Sequence, residues 1–423
     1  MTYYPPLREC MTNNNDELIV YGADNFAQFP RRDASVRSKC DRALPAAGRD
    51  DLVVLRGKLD REYHSWLRSL GLGSDHVVEY KAASQGLSLS ELIIKDPEPI
   101  LKIVRDTGRK PIYVPWFSGQ MEAEAARVLG ADLFGAPEEA TLQYNDKAGF
   151  KQICQQLDIP VVTGASFAIH PEDMGNASEM ARVVNRYLTT HETVIIRGTL
   201  GESGMSLYKT TGDDLPELYG KIAASGEKVV IIEPFLRVIS TPNDQWTIGR
   251  NGEINHLGLL DQICEKGMVH IGNLKGQKTS ARIFSFIKQA SGKIVKHMAN
   301  SGYKGVVGID YIVTDDGIFP VENNARFNGS SYVNIIVDNI EKLNCPVPCW
   351  KFIKIKTKPC TFLELTKRLE PILYDGIKAN SVFPLNCSAL PASGEFAVIL
   401  LAEDLNHIIY LEQVLAEKGV KRD

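Results

Sequence analysis

Two carboxylates in the segment GVVGIDYIVTDDGIFPVENNARFNG, residues 305–329, are spaced to meet across a β-hairpin. A loop of Asp315, Asp316 and Gly317, with the glycine left-handed, pairs Thr314 with Ile318 and sets Asp310 opposite Glu322. Strand periodicity puts Asn324 on the same face, and directly opposed residues have Cβ atoms about 5 Å apart. Like charges that close repel unless a cation lies between them. Hard oxygen donors without cysteine or histidine favour Mg²⁺ or Mn²⁺. Asp310, Glu322 and Asn324 are therefore the expected metal ligands. Arg326 continues the alternation and is the expected catalytic residue, placed to offset charge on a transferred phosphoryl group or a tetrahedral adduct. The plain alternative is the polar outer face of an ordinary hairpin. Against it, Val307, Ile309, Tyr311 and Val313 make the opposite face apolar, while Gly308 and Ile312 flank Asp310 on its own face.

A second feature is the turn Gly198-Thr199-Leu200-Gly201-Glu202-Ser203-Gly204. Its backbone N–H groups could cradle phosphate and its glycines allow close approach, although it lacks the GxxxxGK[ST] pattern and a turn of this kind is often only a turn. Arg197 at its lip carries a fixed positive charge, and Lys147 begins a helix whose first N–H groups favour anions. An exposed, salt-bridging lysine is the plain alternative there.

These residues need elements to hold them. Leu18–Tyr21, Leu52–Arg56 and Ile112–Pro115 are short β-rich runs separated by helix-like stretches at Asp60–Leu70 and Gln120–Leu129, which predicts an α/β layer on a parallel sheet. The first strand runs into Tyr21-Gly22-Ala23-Asp24-Asn25 and lacks a dinucleotide glycine triad. A helix over Asp146–Leu157 ends at Asp158-Ile159-Pro160. Strands follow at Thr193–Arg197, Met205–Lys209 and Val229–Glu233, then a helix near Ile283–Asn300, the hairpin, and a closing α/β stretch from Cys360. The expected units are residues 1–140, 141–236 and 237–423.

With 423 residues, 44% of them hydrophobic, the chain can bury several packed units. Its 48 basic and 52 acidic residues give a net charge of −4, which offers no general attraction to nucleic acid or to an anionic membrane. The longest apolar runs, Val229–Ile232 and Phe396–Ala402, are too short to span a bilayer, so a cytoplasmic protein is expected. Cys345, Cys349 and Cys360 are read as structural thiols rather than a zinc site, since two prolines separate the first pair and a fourth ligand is missing.

Taken in order, NDKAGFKQICQQLDIPVVTG, VIIRGTLGESGMSLY, VVIIEPFL, GIDYIV and VENNARFNG resemble the ATP-grasp superfamily over residues 135–335. The resemblance implies a nucleotide held between two α+β subdomains, with an N-terminal α/β pre-ATP-grasp domain. It also implies ATP and Mg²⁺ (or Mn²⁺) as cofactors. Carried over by position, Lys147, Arg197, Gly201, Ser203 and Gly204 would meet the phosphates, and Glu233 and Leu236 the adenine. Asp310, Glu322 and Asn324 would bind metal, and Arg326 would steady the intermediate. Arg197 stands where the family has lysine. The N-terminal region with YVPWFSGQMEAEAARVLGADLFGAPEEATLQYNDK, and the tail with GIKANSVFPLN and GEFAVILLAED, look like peptide ligases of the pheganomycin type.

The activity implied is amide formation through an acyl-phosphate, from a small carboxylate and an amine such as amino acids or a peptide, with ADP released. Whether the chain forms a homo-oligomer is left open. A regulatory module of the same fold, or another chemistry such as carboxylation, are the alternatives; a biotin carboxylase is expected to resemble its relatives in the N-terminal third, which this sequence does not. The segments Asp261–Cys264 and His270–Asn273, and the stretch Phe327–Tyr332, are expected to border the acceptor site; His270 could be a base for the amine, but a surface-loop histidine without a role is the preferred reading.

Overall fold

A computed structural model describes residues 6–12, 14, 16–27, 37–80, 86–199, 206–265, 269–343 and 346–421. The expected phosphate contacts at Gly201, Ser203 and Gly204 lie outside these residues.

The first sheet contains β1 (Glu17–Gly22), β2 (Leu52–Leu55), β3 (His76–Glu79), β4 (Lys110–Pro115) and β5 (Asp132–Leu133). It is parallel, in the order β3-β2-β1-β4-β5. Its central strands are buried on both faces, which is why they read as unbroken apolar runs rather than alternations. The strand order reverses direction between β1 and β4, and Asn25 and Trp116 follow their carboxyl ends.

The second sheet contains β6 (Ala165–Ala168), β7 (Val194–Gly198), β8 (Leu207–Thr210) and β9 (Val229–Pro234), antiparallel in the order β6-β9-β7-β8. Residues 235–237 link it to the third sheet, and Leu236 lies in that link.

The third sheet contains β10 (Val238–Ser240), β11 (Pro242–Ile248), β12 (Ile254–Glu265), β13 (Val269–Lys275), β14 (Gly305–Thr314), β15 (Ile318–Asn324), β16 (Cys349–Lys356), β17 (Ser381–Leu385) and β18 (Glu395–Ala402). Its order is β10-β14-β11-β12-β13-β16-β18-β17, with β15 paired to β14. The predicted "loop" at His270 is part of β13, hydrogen-bonded to β12 and β16. Gly272 there reflects close packing, not a turn: a Cβ on it would lie 2.0 Å from the Phe352 carbonyl oxygen.

Val307, Ile309 and Tyr311 face a core shared with the helices Lys147–Gln156 and Ala281–Asn300. The Tyr311 hydroxyl meets Ser291 Oγ at 2.8 Å. Each such fully buried apolar side chain contributes about 1.5–3 kcal/mol. Alternation then fixes Gly308 and Asp310 on the opposite face.

Candidate functional site

The hairpin reaches the expected pairing by a different turn. Val313, not Thr314, pairs with Ile318, and the Thr314 N–H donates to the Gly317 carbonyl at 2.8 Å. A bulge leaves Val321 as an extra residue between the pairs Asp310–Glu322 and Tyr311–Pro320, which restores Asp310 opposite Glu322. Proline has no N–H for the ladder, so the irregularity falls where the pairing is already interrupted.

Asp310 is flanked by Asn243 of β11 on one side and Glu322 on the other. Its Oδ1 accepts from Asn243 Nδ2 and Gln262 Nε2, and its Oδ2 from Asn324 Nδ2 at 3.0 Å. Burial, then the charge of Glu322, push its carboxyl up to about 6, against the pull of the three amides. Glu322 Oε1 lies 3.0 Å from Lys147 Nζ. Arg326 Nη2 donates to Asn324 Oδ1 at 2.8 Å and Nη1 to the Phe327 carbonyl at 3.1 Å.

Lys147 opens its helix with Asp146 as N-cap, accepting from the Gly149 N–H at 2.6 Å. The Lys147 N–H donates to the Thr199 carbonyl at 3.0 Å, which ties the helix start to the entry of the glycine turn. Arg197 stands differently from the expected phosphate contact. Its Nε and Nη2 donate to Glu233 Oε2 at 3.0 and 2.7 Å, and its Nη1 to the Val321 carbonyl at 2.8 Å. Glu233 also holds Lys151 Nζ at 2.5 Å, so its side chain is engaged within this buried cluster. Gly164 makes room for the cluster, since a Cβ there would meet Glu233 Cγ at 2.4 Å.

Asp310, Glu322, Asn324 and Arg326 line a cavity of about 330 Å³. Gln262, Cys264 and Asn273, from the two segments expected to border the acceptor site, line it too, as do Asn243, Lys39, Arg42 and Lys354, which sequence reasoning missed because they come from distant segments that only the fold brings together. His270, read from sequence as a surface-loop residue, also faces this cavity. It bonds Asn273 Oδ1 at 3.0 Å, and burial beside Lys354 and Arg326 pushes it down to about 4. That makes it a weak base at neutral pH.

The donor set suits a hard divalent cation: two carboxylates held together at an energetic cost, with an amide oxygen beside them, leaving phosphate and water oxygens to complete the shell. Asn324 Oδ1, though bonded to Arg326, retains a second lone pair. Among the described residues no group of three or more His, Cys, Asp or Glu could hold a metal, and Cys349 and Cys360 are buried free thiols.

Comparison with solved structures decides the fold. Biotin carboxylase from Campylobacter jejuni, in a β-γ-ATP complex, matches with a TM-score of 0.63 over 96% of this chain and 92% of that one, at 15% identity. The chain has the ATP-grasp fold. The biotin carboxylase domain of Hydrogenobacter thermophilus 2-oxoglutarate carboxylase, a dimer with MgADP and bicarbonate, matches with a TM-score of 0.57 and 14% identity over 87% of this chain and 90% of that one. The likeness therefore includes the N-terminal third, where the sequence had set the chain apart from biotin carboxylases; at this identity the layout of strands persists after the residues have diverged. Among curated proteins, the arginine-specific carbamoyl phosphate synthase large chain of Geobacillus stearothermophilus is 24% identical over 238 residues, 54% of this chain. The match spans about a fifth of that relative's length, 21%. No family model matches the chain. Among the described residues no helix is long and apolar enough to cross a membrane.

Proposed function

We propose that the chain is an ATP-consuming ligase that activates a carboxylate by phosphorylation and joins it to an amine. The observation that carries this reading is the opposition of Asp310 and Glu322 on one sheet face, with Lys147 held against Glu322 and Arg326 against the neighbouring Asn324. Bound Mg²⁺ would neutralise β- and γ-phosphate oxygens there. Lys147, 3.0 Å from Glu322, can share its ammonium with a phosphate oxygen. Arg326, steadied by Asn324 and the Phe327 carbonyl, is placed to meet charge on the transferred phosphoryl and on the tetrahedral adduct. A carboxylate oxygen leaves poorly; phosphorylated, it leaves as inorganic phosphate when the amine attacks, and the amine proton passes to solvent.

The ATP-containing and ADP-containing complexes with the same fold support the nucleotide, and the resemblance of the N-terminal region and the tail to pheganomycin-type peptide ligases supports an amide product. Incubation with ATP, Mg²⁺, a panel of small carboxylic acids and hydroxylamine should yield a hydroxamate with equimolar ADP. AMP as the stoichiometric product would contradict the phosphoryl route.

The full-length likeness to biotin carboxylases favours a second reading, in which bicarbonate is the acid phosphorylated and an amine nitrogen is carboxylated. ADP release that requires bicarbonate and no other acid would select it.

A further inference from the structure

Asn243 and Gln245 lie two residues apart on β11, on the sheet face that carries Asp310, and both are buried. In the register of β11 with β14, Asn243 stands opposite Asp310 and Gln245 opposite Gly308. A buried amide is costly unless its polar atoms are hydrogen-bonded, and these two are joined in series. Asn243 Nδ2 donates to Asp310 Oδ1, and Gln245 Nε2 donates to Asn243 Oδ1. Behind them, Gln245 Oε1 accepts from Asn328 Nδ2 at 3.4 Å. Asn328 Oδ1 in turn accepts at 3.1 Å from the N–H of Ser331, in the first turn of the helix Gly329–Leu343.

The direction of this chain is fixed at both ends. An ionised carboxylate only accepts and a backbone N–H only donates, so each of the three amides must turn its NH₂ toward Asp310 and its oxygen away. Gly308 leaves room for them: a Cβ there would lie 2.4 Å from Asn328 Nδ2, 2.8 Å from Gln245 Nε2 and 3.4 Å from Asn243 Nδ2. With Gln262 Nε2 as its second donor, Asp310 Oδ1 has both lone pairs engaged, whereas Oδ2 accepts from Asn324 Nδ2. The second lone pair of Oδ2 is left for a cation.

We propose that Gln245 is a positioning residue for the cation: it holds the Asn243 amide with its NH₂ toward Asp310, and so decides which oxygen of Asp310 meets the metal shared with Glu322. The proposal rests on the ligase reading above and adds to it a fully buried side chain that acts through its neighbour.

The test uses the full chain and Mn²⁺ as the probe, read by loss of the free-ion electron paramagnetic resonance signal, with and without ADP. Wild type is compared with Gln245→Met, Gln245→Glu, Asn243→Ala and the double variants, with melting curves to check folding. Gln245→Glu keeps the size and the acceptor toward Asn328 but has no N–H for Asn243, whose amide must then turn its oxygen to Asp310. An added carboxylate would by itself attract a cation, so the proposal and simple electrostatics predict opposite signs. The expected result is Mn²⁺ binding about tenfold weaker in both Gln245 variants, the loss of one charge-assisted contact. Adding either to Asn243→Ala should cost no more than about a further twofold, because Gln245 acts through Asn243. Mn²⁺ binding as tight as wild type or tighter in folded Gln245→Glu, or additive losses in the double variants, overturns the proposal. Should Gln245→Met fail to fold, the near-isosteric glutamate variant carries the same comparison. A wild type that binds Mn²⁺ but not ADP counts against the nucleotide reading alone, and the Mn²⁺ series still decides the role of Gln245; a wild type that binds no Mn²⁺ with or without ADP overturns the proposal.

Discussion

Arg197 Nη1 donates to the carbonyl of Val321 at 2.8 Å, so a side chain of the second sheet grips the hairpin strand one residue before Glu322. The same guanidinium is bound to Glu233, which makes Arg197 a mechanical tie between the two sheets as well as a charge.

Replacing Arg197 with alanine should therefore act on both stability and nucleotide affinity. It leaves Glu233 buried with Lys151 alone, a loss on the order of 3 kcal/mol, readable by chemical denaturation. Mg-ATP affinity should fall as the Glu322 strand loosens, while Arg197→Lys should recover part of the stability. An alanine variant as stable as wild type would rule out the tie.

Part of this layout was legible from sequence because period-2 alternation along β14 puts Asp310 on the face away from Val307, Ile309 and Tyr311. The Asp310–Glu322 pairing held although the turn differed, because the bulge at Val321 cancelled the one-residue shift. That Lys39, from the connection after β1, and Lys354, on β16, line the same cavity was not legible, because no spacing in the sequence shows how the two sheets meet. The segment of His270 was expected beside the acceptor site but on a surface loop; it lies on β13, where Gly272 lets the strand approach Phe352.

Glu322→Gln is nearly isosteric but removes the charge that pairs with Lys147 and opposes Asp310. Turnover should fall by more than about a hundredfold, as for loss of a charged group acting in the transition state, with the circular dichroism spectrum unchanged. Full ADP production by the folded variant would remove Glu322 from the site.

Gly308 sits on the floor beside Asp310, and a Cβ there would lie 2.4 Å from Asn328 Nδ2 and 2.8 Å from Gln245 Nε2. Both are tips of flexible side chains, so Gly308→Ala should displace them at a cost of about 1–3 kcal/mol or less. The catalytic rate should drop more than that stability change explains. Unaltered kinetics would mean that the floor tolerates a methyl group.

His270 is pushed down to about 4 from an ordinary value near 6.5. Between those values the unfolded chain binds a proton that the folded chain does not, so the stability this group contributes is whole above pH 6.5 and lost as pH falls toward 4. In His270→Gln that loss should vanish, and the melting temperature of the variant should fall less steeply than wild type over this interval. Parallel curves would place the imidazole in a more open setting.

Calorimetry of Mg-ADP with wild type and Asp310→Asn asks directly whether the face shared by Asp310 and Glu322 binds a magnesium-nucleotide complex. Asparagine keeps the shape and can still hydrogen-bond but gives up one of the two charges. Binding by wild type should depend on Mg²⁺ and weaken about tenfold or more in the variant, one lost charge-assisted interaction. Equal Mg-ADP affinity in the two proteins, or wild-type affinity indifferent to Mg²⁺, would contradict it.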